Sequence, residues 1–263
     1  MRCLFLLLTL PLFGAYVGNP ADPAIMNTGF FTAGYPYFKL TSGYIYDYTS
    51  NKRYGTDQIE PDFDPDQALK RFGLHSQLAS FSLIFIERFQ VFGSAGGSKE
   101  SVTEGEQPDW ADIVFDFESA YQFAWSAGAK AILIQWGQTY FSADFTYFAI
   151  PSSSKTFFKY LNRLNLPMHL DAEKQKLSLD EWQISLGLSS RFYFLTPYVG
   201  ANYLRSRLHV QEGPDIPSIN YHNEVSWGYF YGLTLSLTGR FHLNFERRMR
   251  DEFAYTFSTI AVF

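Results

Sequence analysis

The sequence is poor in cysteine, in charge and in long apolar runs. Cys3 is the single cysteine among 263 residues, which excludes zinc fingers, disulfide scaffolds and thiol catalysis. Charged residues make up 18% of the chain and the net charge is −5, so a nucleic-acid partner is not expected. No apolar run reaches the roughly 18 residues that a membrane-spanning helix needs.

Aromatic residues, in contrast, are abundant, and they alternate with polar ones. Phe and Tyr supply most of the 19% aromatic content, and both favour β-strands. Over residues 122–134, 181–191 and 224–238, large apolar side chains occupy one parity, while Gly, Ser and charged residues dominate the other. A period of two places these sets on opposite faces of a strand.

A soluble β-sandwich alternates in the same way, but the lengths of the segments and of their connections favour a membrane barrel. A tilted strand of about 10 residues crosses a bilayer, and outer-membrane barrels have tight turns at one end and longer loops at the other. The sequence therefore predicts an all-β fold, a transmembrane antiparallel β-barrel of about ten strands with both termini periplasmic. The predicted strands lie near 36–48, 76–86, 89–96, 122–134, 140–150, 180–190, 195–206, 224–237, 241–249 and 252–263.

The connections complete this topology. Tight turns are expected at 87–88, 135–139, 191–194 and 238–240, and long outer loops at 49–75, 97–121, 151–179 and 207–223. A further hairpin within 97–121 would raise the count to twelve strands. Near residues 78–79 the apolar residues change from one set of alternate positions to the other. A β-bulge, or contact with a loop in the lumen, would explain this change.

The first residues have the pattern of a secretory signal peptide. Arg2 precedes an apolar stretch at 3–13, and small residues follow at 14–15; the stretch is too short for a membrane anchor. We expect a signal peptide at 1–15, with cleavage as late as residue 18. A periplasmic segment at 16–35 and a barrel at 36–263, integral to a bacterial outer membrane, then follow.

Aromatic residues recur at the ends of the predicted strands. This placement is typical of an interfacial aromatic belt, whose predicted members are Tyr44, Tyr46, Trp125, Trp182 and Trp227. Tyr255, Phe257 and Phe263 share one parity at the end of the sequence. That pattern resembles the C-terminal strand that the barrel-assembly machinery recognises in outer-membrane proteins.

The opposite parity predicts the lining of the lumen. The predicted pore-lining residues are Lys39, Asp47, Lys130, Asp144, Glu181, Glu224, His242, Asn244, Glu246 and Arg248. Charges inside a barrel bias which solutes enter, although they also pair across strands and fill a narrow interior. Lys130 and Asp144 are expected to face each other across a hairpin with an odd loop at 136–138. Arg247 falls on the lipid parity and is expected near an interface, where it can snorkel.

No catalytic, metal or cofactor site is predicted. Catalysis needs a nucleophile and a base at one depth of the barrel. The histidines are dispersed along the sequence, at His75, His169, His209, His222 and His242.

Six segments, in order along the chain, resemble the chlamydial major outer membrane protein family. They are residues 18–24, 83–92, 123–131, 182–191, 196–200 and 246–252. This resemblance implies a porin-like barrel and, since the best-known members are trimeric, a homotrimer. Those members are longer and rich in cysteines that cross-link the envelope, so cross-linking does not carry over to this chain.

Taken together, the pattern and the resemblance predict an outer-membrane porin. It would allow passive diffusion of small hydrophilic solutes or ions, with membrane lipid as a further partner. The alternative is a closed surface barrel with a structural or adhesin role.

Overall fold

The computed structural model describes residues 17–26, 37–56, 69–106, 113–161, 166–170, 176–210, 218–237, 240–250 and 252–263. These contain one short helix, α1 (Asp22–Ile25), and thirteen strands: β1 (Phe38–Thr56), β2 (Leu69–Phe85), β3 (Phe89–Glu106), β4 (Ile113–Ser119), β5 (Gln122–Trp136), β6 (Thr139–Leu161), β7 (Leu166–Leu170), β8 (Lys176–Ser190), β9 (Leu195–Val210), β10 (Ile219–Asn223), β11 (Trp227–Ser236), β12 (Phe241–Met249) and β13 (Glu252–Val262). No helix among these residues is long and apolar enough to cross a membrane. The predicted signal peptide at 1–15 lies outside the described residues.

Ten of the described strands form a closed ring. The order is β1, β2, β3, β5, β6, β8, β9, β11, β12 and β13, and β13 pairs back onto β1. All neighbouring strands are antiparallel. The predicted ten-stranded antiparallel barrel is therefore confirmed.

Five short connections join strands of this ring, and all but the two-residue link between β12 and β13 lie at one end. They include residues 86–88, 137–138 and 191–194, and Leu237 N–H donates to the Phe241 carbonyl (3.0 Å) at the next connection. Phe263 N–H donates to the Leu40 carbonyl (2.8 Å), so β1 begins and β13 ends at this same tight-turn end. The opposite, long-loop end carries the longer connections; which end faces the periplasm stays a prediction.

Three short strands at the long-loop end were predicted as loops. The ring strands β1, β3 and β6 are longer than expected, because their pairing continues onto β10, β4 and β7. β3 and β4 form the hairpin anticipated within 97–121, but β4 pairs with the far part of β6 and does not widen the ring. The count of ten follows from this arrangement.

The irregular parity of β2 is not a bulge. Its register with β3 runs without a shift from Arg71 to Phe85. Leu78 and Ile84 face inward and are buried in two apolar clusters inside the barrel. Contact within the lumen, the second explanation, therefore accounts for the apolar residues on the inner face.

The outer face carries a broad apolar band. Large side chains there are about half exposed: Leu133, Phe145, Ile184, Leu186, Leu188, Val199 and Phe245. A soluble protein rarely exposes so large a contiguous apolar surface, whereas the lipid-facing surface of a membrane barrel consists of one.

The described part of the predicted periplasmic segment, residues 17–26, lies inside the barrel. Ala21, Ile25 and Met26 are fully buried and pack with inward residues of the ring, including Ile84 and Tyr140. The periplasmic placement of these residues needs correction, because burial of their apolar side chains holds them in the lumen. The other limits at 16–35 and 36–263 stay predictions.

Candidate functional site

Residues 17–26, here called the plug, are held in the tight-turn half of the lumen by polar contacts. Lys130 Nζ lies 2.9 Å from Asp22 Oδ2 and 3.3 Å from the Asn19 carbonyl. The plug residue Gly18 donates its N–H to Glu246 Oε2 (3.1 Å). The interior charges of β5 and β12 thus bind a segment that is distant from them in sequence.

Asn19 is the most extensively bonded residue of the plug. Its side-chain nitrogen donates to Thr234 Oγ1 (2.8 Å), and its side-chain oxygen accepts from Ser189 Oγ (3.0 Å). It also accepts from the N–H of Ala21 (2.9 Å), which closes a local turn. A buried amide needs partners of this kind, and here they come from β8, β11 and the plug.

The plug also fits a gap left by a glycine. A Cβ added at Gly187 would lie 2.3 Å from Cγ of Pro20, far closer than van der Waals contact. A larger side chain at Gly187 and a seated plug are therefore incompatible without displacement of one of them. The inward glycine on β8 makes room for Pro20.

The relation predicted between Lys130 and Asp144 is half right. The two residues face each other in the register of β5 and β6, as expected. The hairpin loop has two residues, 137–138, and the register shifts between Ile132 and Ile134, which leaves Leu133 without a partner and restores the alignment. The odd loop predicted at 136–138 is therefore wrong, whereas the opposition of Lys130 and Asp144 is confirmed. The ammonium group of Lys130 also pairs with Asp22.

A second group of charges surrounds Arg248 in the middle of the barrel. Its guanidinium forms ion pairs with Asp47, with Glu246 (3.3 Å) and with Glu252 (2.5 Å), and it donates to Thr256 (2.8 Å). All four charged side chains are almost completely buried. Buried charges persist only when they are paired and hydrogen-bonded, so this cluster fills the lumen.

A third group lies closer to the long-loop end. Lys52 pairs with Glu181 and lies 3.5 Å from Glu252, while Ser206 Oγ donates to Glu181 (2.6 Å). Tyr54 completes the group with a hydrogen bond to Glu181 (3.3 Å). Three donors thereby converge on one oxygen, Oε1, of the buried Glu181 carboxylate.

Sequence reasoning missed Lys52, Tyr54 and the plug. Lys52 and Tyr54 fell in a predicted loop, and an irregularity between Thr49 and Asn51 changes which parity faces inward. Glu252 is buried on β13 and could have been found, because its parity is opposite to that of the outward Phe253. The plug has no periodicity that would reveal its position.

Apolar side chains pack inside the barrel beyond these charges. They form one buried cluster at the long-loop side: Ile45, Tyr54, Phe72, Leu74, Leu78, Ala124, Phe148, Ile150, Leu177, Leu179, Leu208 and Tyr221. Within the described residues, the interior is thus filled from the plug through the charged groups to this cluster.

Nine of the ten predicted lining residues face the interior and are buried: Lys39, Asp47, Lys130, Asp144, Glu181, His242, Asn244, Glu246 and Arg248. The inward placement of Glu224 is wrong. β11 begins only at Trp227, and Glu224 is exposed in the link from β10. Whether the nine line a conducting path stays a prediction.

The predicted belt residues lie on the outer surface. Trp125 contacts Tyr147 (ring centroids 5.4 Å apart), and Tyr203 lies between Trp182 (5.5 Å) and Trp227 (5.2 Å). Tyr44 and Tyr46 are partly exposed on β1. These rings form a band on neighbouring strands, and its depth in a bilayer stays a prediction.

The aromatic residues of β13 also point outward. Tyr255 is exposed, and Phe257 and Phe263 are partly exposed. Arg247 stacks on Tyr255 (5.2 Å) and donates to the hydroxyl of Tyr231 (3.4 Å). Arg247, the arginine on the lipid-facing parity, thus lies among aromatic side chains. Recognition of β13 during assembly stays a prediction.

Comparisons with known proteins agree with the sequence resemblance. No protein-family model matches the chain. The chain is 27% identical over 147 residues to the "Major outer membrane porin" of Chlamydia psittaci, an alignment that covers 45% of this chain and 37% of that protein. The alignment therefore spans little more than a third of the length of this curated relative.

Solved outer-membrane proteins are also similar in structure. The alignment with the toluene transporter TbuX of Ralstonia pickettii covers 93% of this chain and 91% of TbuX, at 7% identity and a TM-score of 0.39. The outer membrane protein OprG of Pseudomonas aeruginosa covers 86% and 96%, at 8% identity and a TM-score of 0.38. With its closed ring of strands and apolar outer band, the chain is an integral outer-membrane β-barrel that is similar in sequence to the chlamydial porins.

Proposed function

We propose that this protein is a non-enzymatic outer-membrane porin for ions or small hydrophilic solutes, and that the plug closes it. Passive diffusion through the lumen then requires residues 17–26 to leave the tight-turn end. The observation that carries the proposal is that the plug binds the polar inner face of the barrel. Its contacts there are with Lys130, Glu246 and Thr234. The name of the similar chlamydial protein points to the same class of function.

The nature of the contacts supports a reversible closure. The plug is bound by hydrogen bonds and by the ion pair of Asp22 with Lys130, and its buried apolar side chains are few: Val17, Ala21, Ile25 and Met26. The lining that it covers is rich in Ser, Thr and charged groups, which water can solvate once the segment leaves. A ten-stranded barrel offers a narrow path at most, so a low conductance is expected.

Single-channel recording of the refolded full chain tests this proposal. Gly187→Val should displace Pro20 and raise the fraction of time spent open, because the new side chain occupies the space of the plug. Gly93→Val is the matched control, since a Cβ at Gly93 meets its nearest neighbour at 3.6 Å. A parent and a Gly187→Val variant that are equally silent, although folded, would rule out the porin.

A permanently closed barrel with a structural role in the envelope is the second candidate. The observation that favours it is the apolar cluster around Phe72 and Phe148, which fills the lumen independently of the plug. Under this alternative, displacement of the plug leaves the barrel non-conducting. The recording described above therefore separates the two candidates.

Assembly is also part of the proposal. We infer that the barrel-assembly machinery binds the outward aromatic residues of β13 and that the barrels associate as a homotrimer, as the resemblance implies. Light scattering of the detergent-solubilised protein should give the mass of three chains. Phe257→Ser should slow insertion into membranes that contain the machinery without a comparable effect in pure lipid.

A further inference from the structure

The barrel wall divides on the long-loop side of β9. β9 pairs with β11 up to Tyr203 and with β10 from Arg207 onward. In the gap, the Asn223 side chain accepts from Ser206 N–H (2.9 Å) and donates to the Leu204 carbonyl (2.9 Å). The Asn223 side chain and the Ser226 carbonyl, which accepts from Leu204 N–H (2.7 Å), thus bridge the wall where β9 pairs with neither strand.

A cleft of about 500 Å³ lies at this division. It is lined by Tyr203, Arg205, Arg207, Asn220, Tyr221, His222, Asn223 and Ser226. Most of these residues are polar, and two of them are arginines. Arg205, Arg207 and Asn220 are exposed on the outer face of the wall, whereas Tyr221 and Asn223 are buried behind them.

Arg205 and Arg207 present two guanidinium groups on one face. They are alternate residues of β9, both exposed, and alternate residues of a strand are about 7 Å apart on the same side. Arg207 faces Asp180 of β8 in the register, which offsets part of the charge. His222 faces Arg207 from β10, so its imidazole ring lies beside the two guanidinium groups at the cleft.

The depth of this cleft relative to the aromatic band narrows the choice of ligand. Tyr203 contacts Trp182 and Trp227, two members of the predicted interfacial belt, and rings of such a belt lie at the level of lipid headgroups. Arg205 and Arg207 follow Tyr203 by two and four residues, or about 7 and 13 Å along the strand. Cations just beyond an aromatic belt lie where the phosphates of membrane lipids are found.

We propose that this cleft binds a phosphate monoester, with Arg205 and Arg207 as its principal ligands. Guanidinium groups bind phosphate oxygens in a bidentate manner. Oδ1 of Asn220 is engaged by Nδ1 of His209 (2.6 Å), which leaves the amide nitrogen of Asn220 to donate to the anion. Tyr203, which lines the cleft, and Trp227, which packs against it, supply an apolar surface for the sugar or acyl part of a phosphorylated glycolipid.

Native mass spectrometry of the refolded full chain in detergent tests the site. The ligands are diphosphorylated lipid A, its dephosphorylated form and inorganic phosphate. Arg205→Gln/Arg207→Gln should bind the phosphorylated lipid about tenfold more weakly than the parent. Arg88→Gln/Arg191→Gln, with arginines at the tight-turn end, is the matched control and should bind as the parent does.

The three ligands identify the chemistry and its source. Weak binding of the dephosphorylated lipid supports a phosphate site, and equal binding of both lipids overturns it. Competition by millimolar inorganic phosphate supports the same site with a soluble source, whereas its failure to compete supports the lipid. Equal binding of the phosphorylated lipid by the parent and the Gln variant overturns the proposal.

A second variant preserves the test if the Gln variant does not fold. Arg205→Lys/Arg207→Lys keeps the charge but removes the bidentate geometry, and binding of the phosphorylated lipid should fall about threefold. Unchanged binding in this folded variant would overturn the role of the two guanidinium groups. The outcome is independent of whether the lumen conducts.

Discussion

Which ion pair a charged side chain forms inside this barrel depends more on the segments that pack around it than on its position along a strand. Lys130 faces Asp144 across β5 and β6, and its ammonium group also pairs with Asp22 of the plug. Strand parity places a side chain in the lumen, but it does not say which of several buried carboxylates will lie nearest. That choice depends on segments that fold back into the barrel.

Arg248 offers the sharpest test of this pairing. Arg248→Met leaves Asp47, Glu246 and Glu252 buried without their common cation, so unfolding should become easier by about 3–5 kcal/mol. The measurement is urea unfolding of the protein refolded into lipid vesicles.

The neighbouring residue provides the control for that measurement. Arg247 lies on the outer surface with Tyr231 and Tyr255, so Arg247→Met should change the stability by about 1 kcal/mol at most. Equal losses at the two positions would show that the Arg248 cluster does not stabilise the fold.

The strands themselves were largely predictable, because alternation over 10 or more residues leaves little choice of secondary structure. β12 lies at the predicted residues 241–249. Strand ends were less predictable where the chain continues into a partner outside the ring. β1 extends to Thr56 through an irregularity near Asn51, and polar residues there conceal the change of parity.

On the lipid-facing surface, the cost of a charged side chain should depend on its position along the strand. Leu186 lies near the middle of β8 and Leu237 just beyond β11, and both are exposed, at 48% and 60%. Leu186→Arg should cost about 2–4 kcal/mol in lipid vesicles, and Leu237→Arg about 0–1 kcal/mol, because the penalty falls towards the interface. Equal penalties at both positions would contradict a bilayer-spanning ring.

The closed ring as a whole follows from the sequence, whereas the filling of its interior does not. Nine predicted lining residues do face inward, since parity fixes their side of the wall. The plug could not be foreseen, because Asn19 and Asp22 have no periodic pattern and find their partners on strands more than a hundred residues away. Long-range polar contacts of this kind leave no local signal.

The orientation of the molecule can be read from the two ends of the ring. An epitope tag within residues 58–66 should be accessible on intact cells, while a tag at Gly137 should be protected, because long loops face outward in outer-membrane barrels. Antibody binding before and after permeabilisation measures both. The reverse pattern would place the tight turns at the cell surface.

The central claim is that residues 17–26 close the lumen, and a reversible lock tests it most directly. In a Cys3→Ser background, Pro20→Cys/Gly187→Cys should form a disulfide. A Cβ added at Gly187 lies 3.0 Å from Cβ of Pro20, and a small shift satisfies the geometry of the bond. Single-channel recordings should show a silent barrel while the disulfide is intact and frequent openings after reduction. A steady conductance with the disulfide formed would contradict the claim.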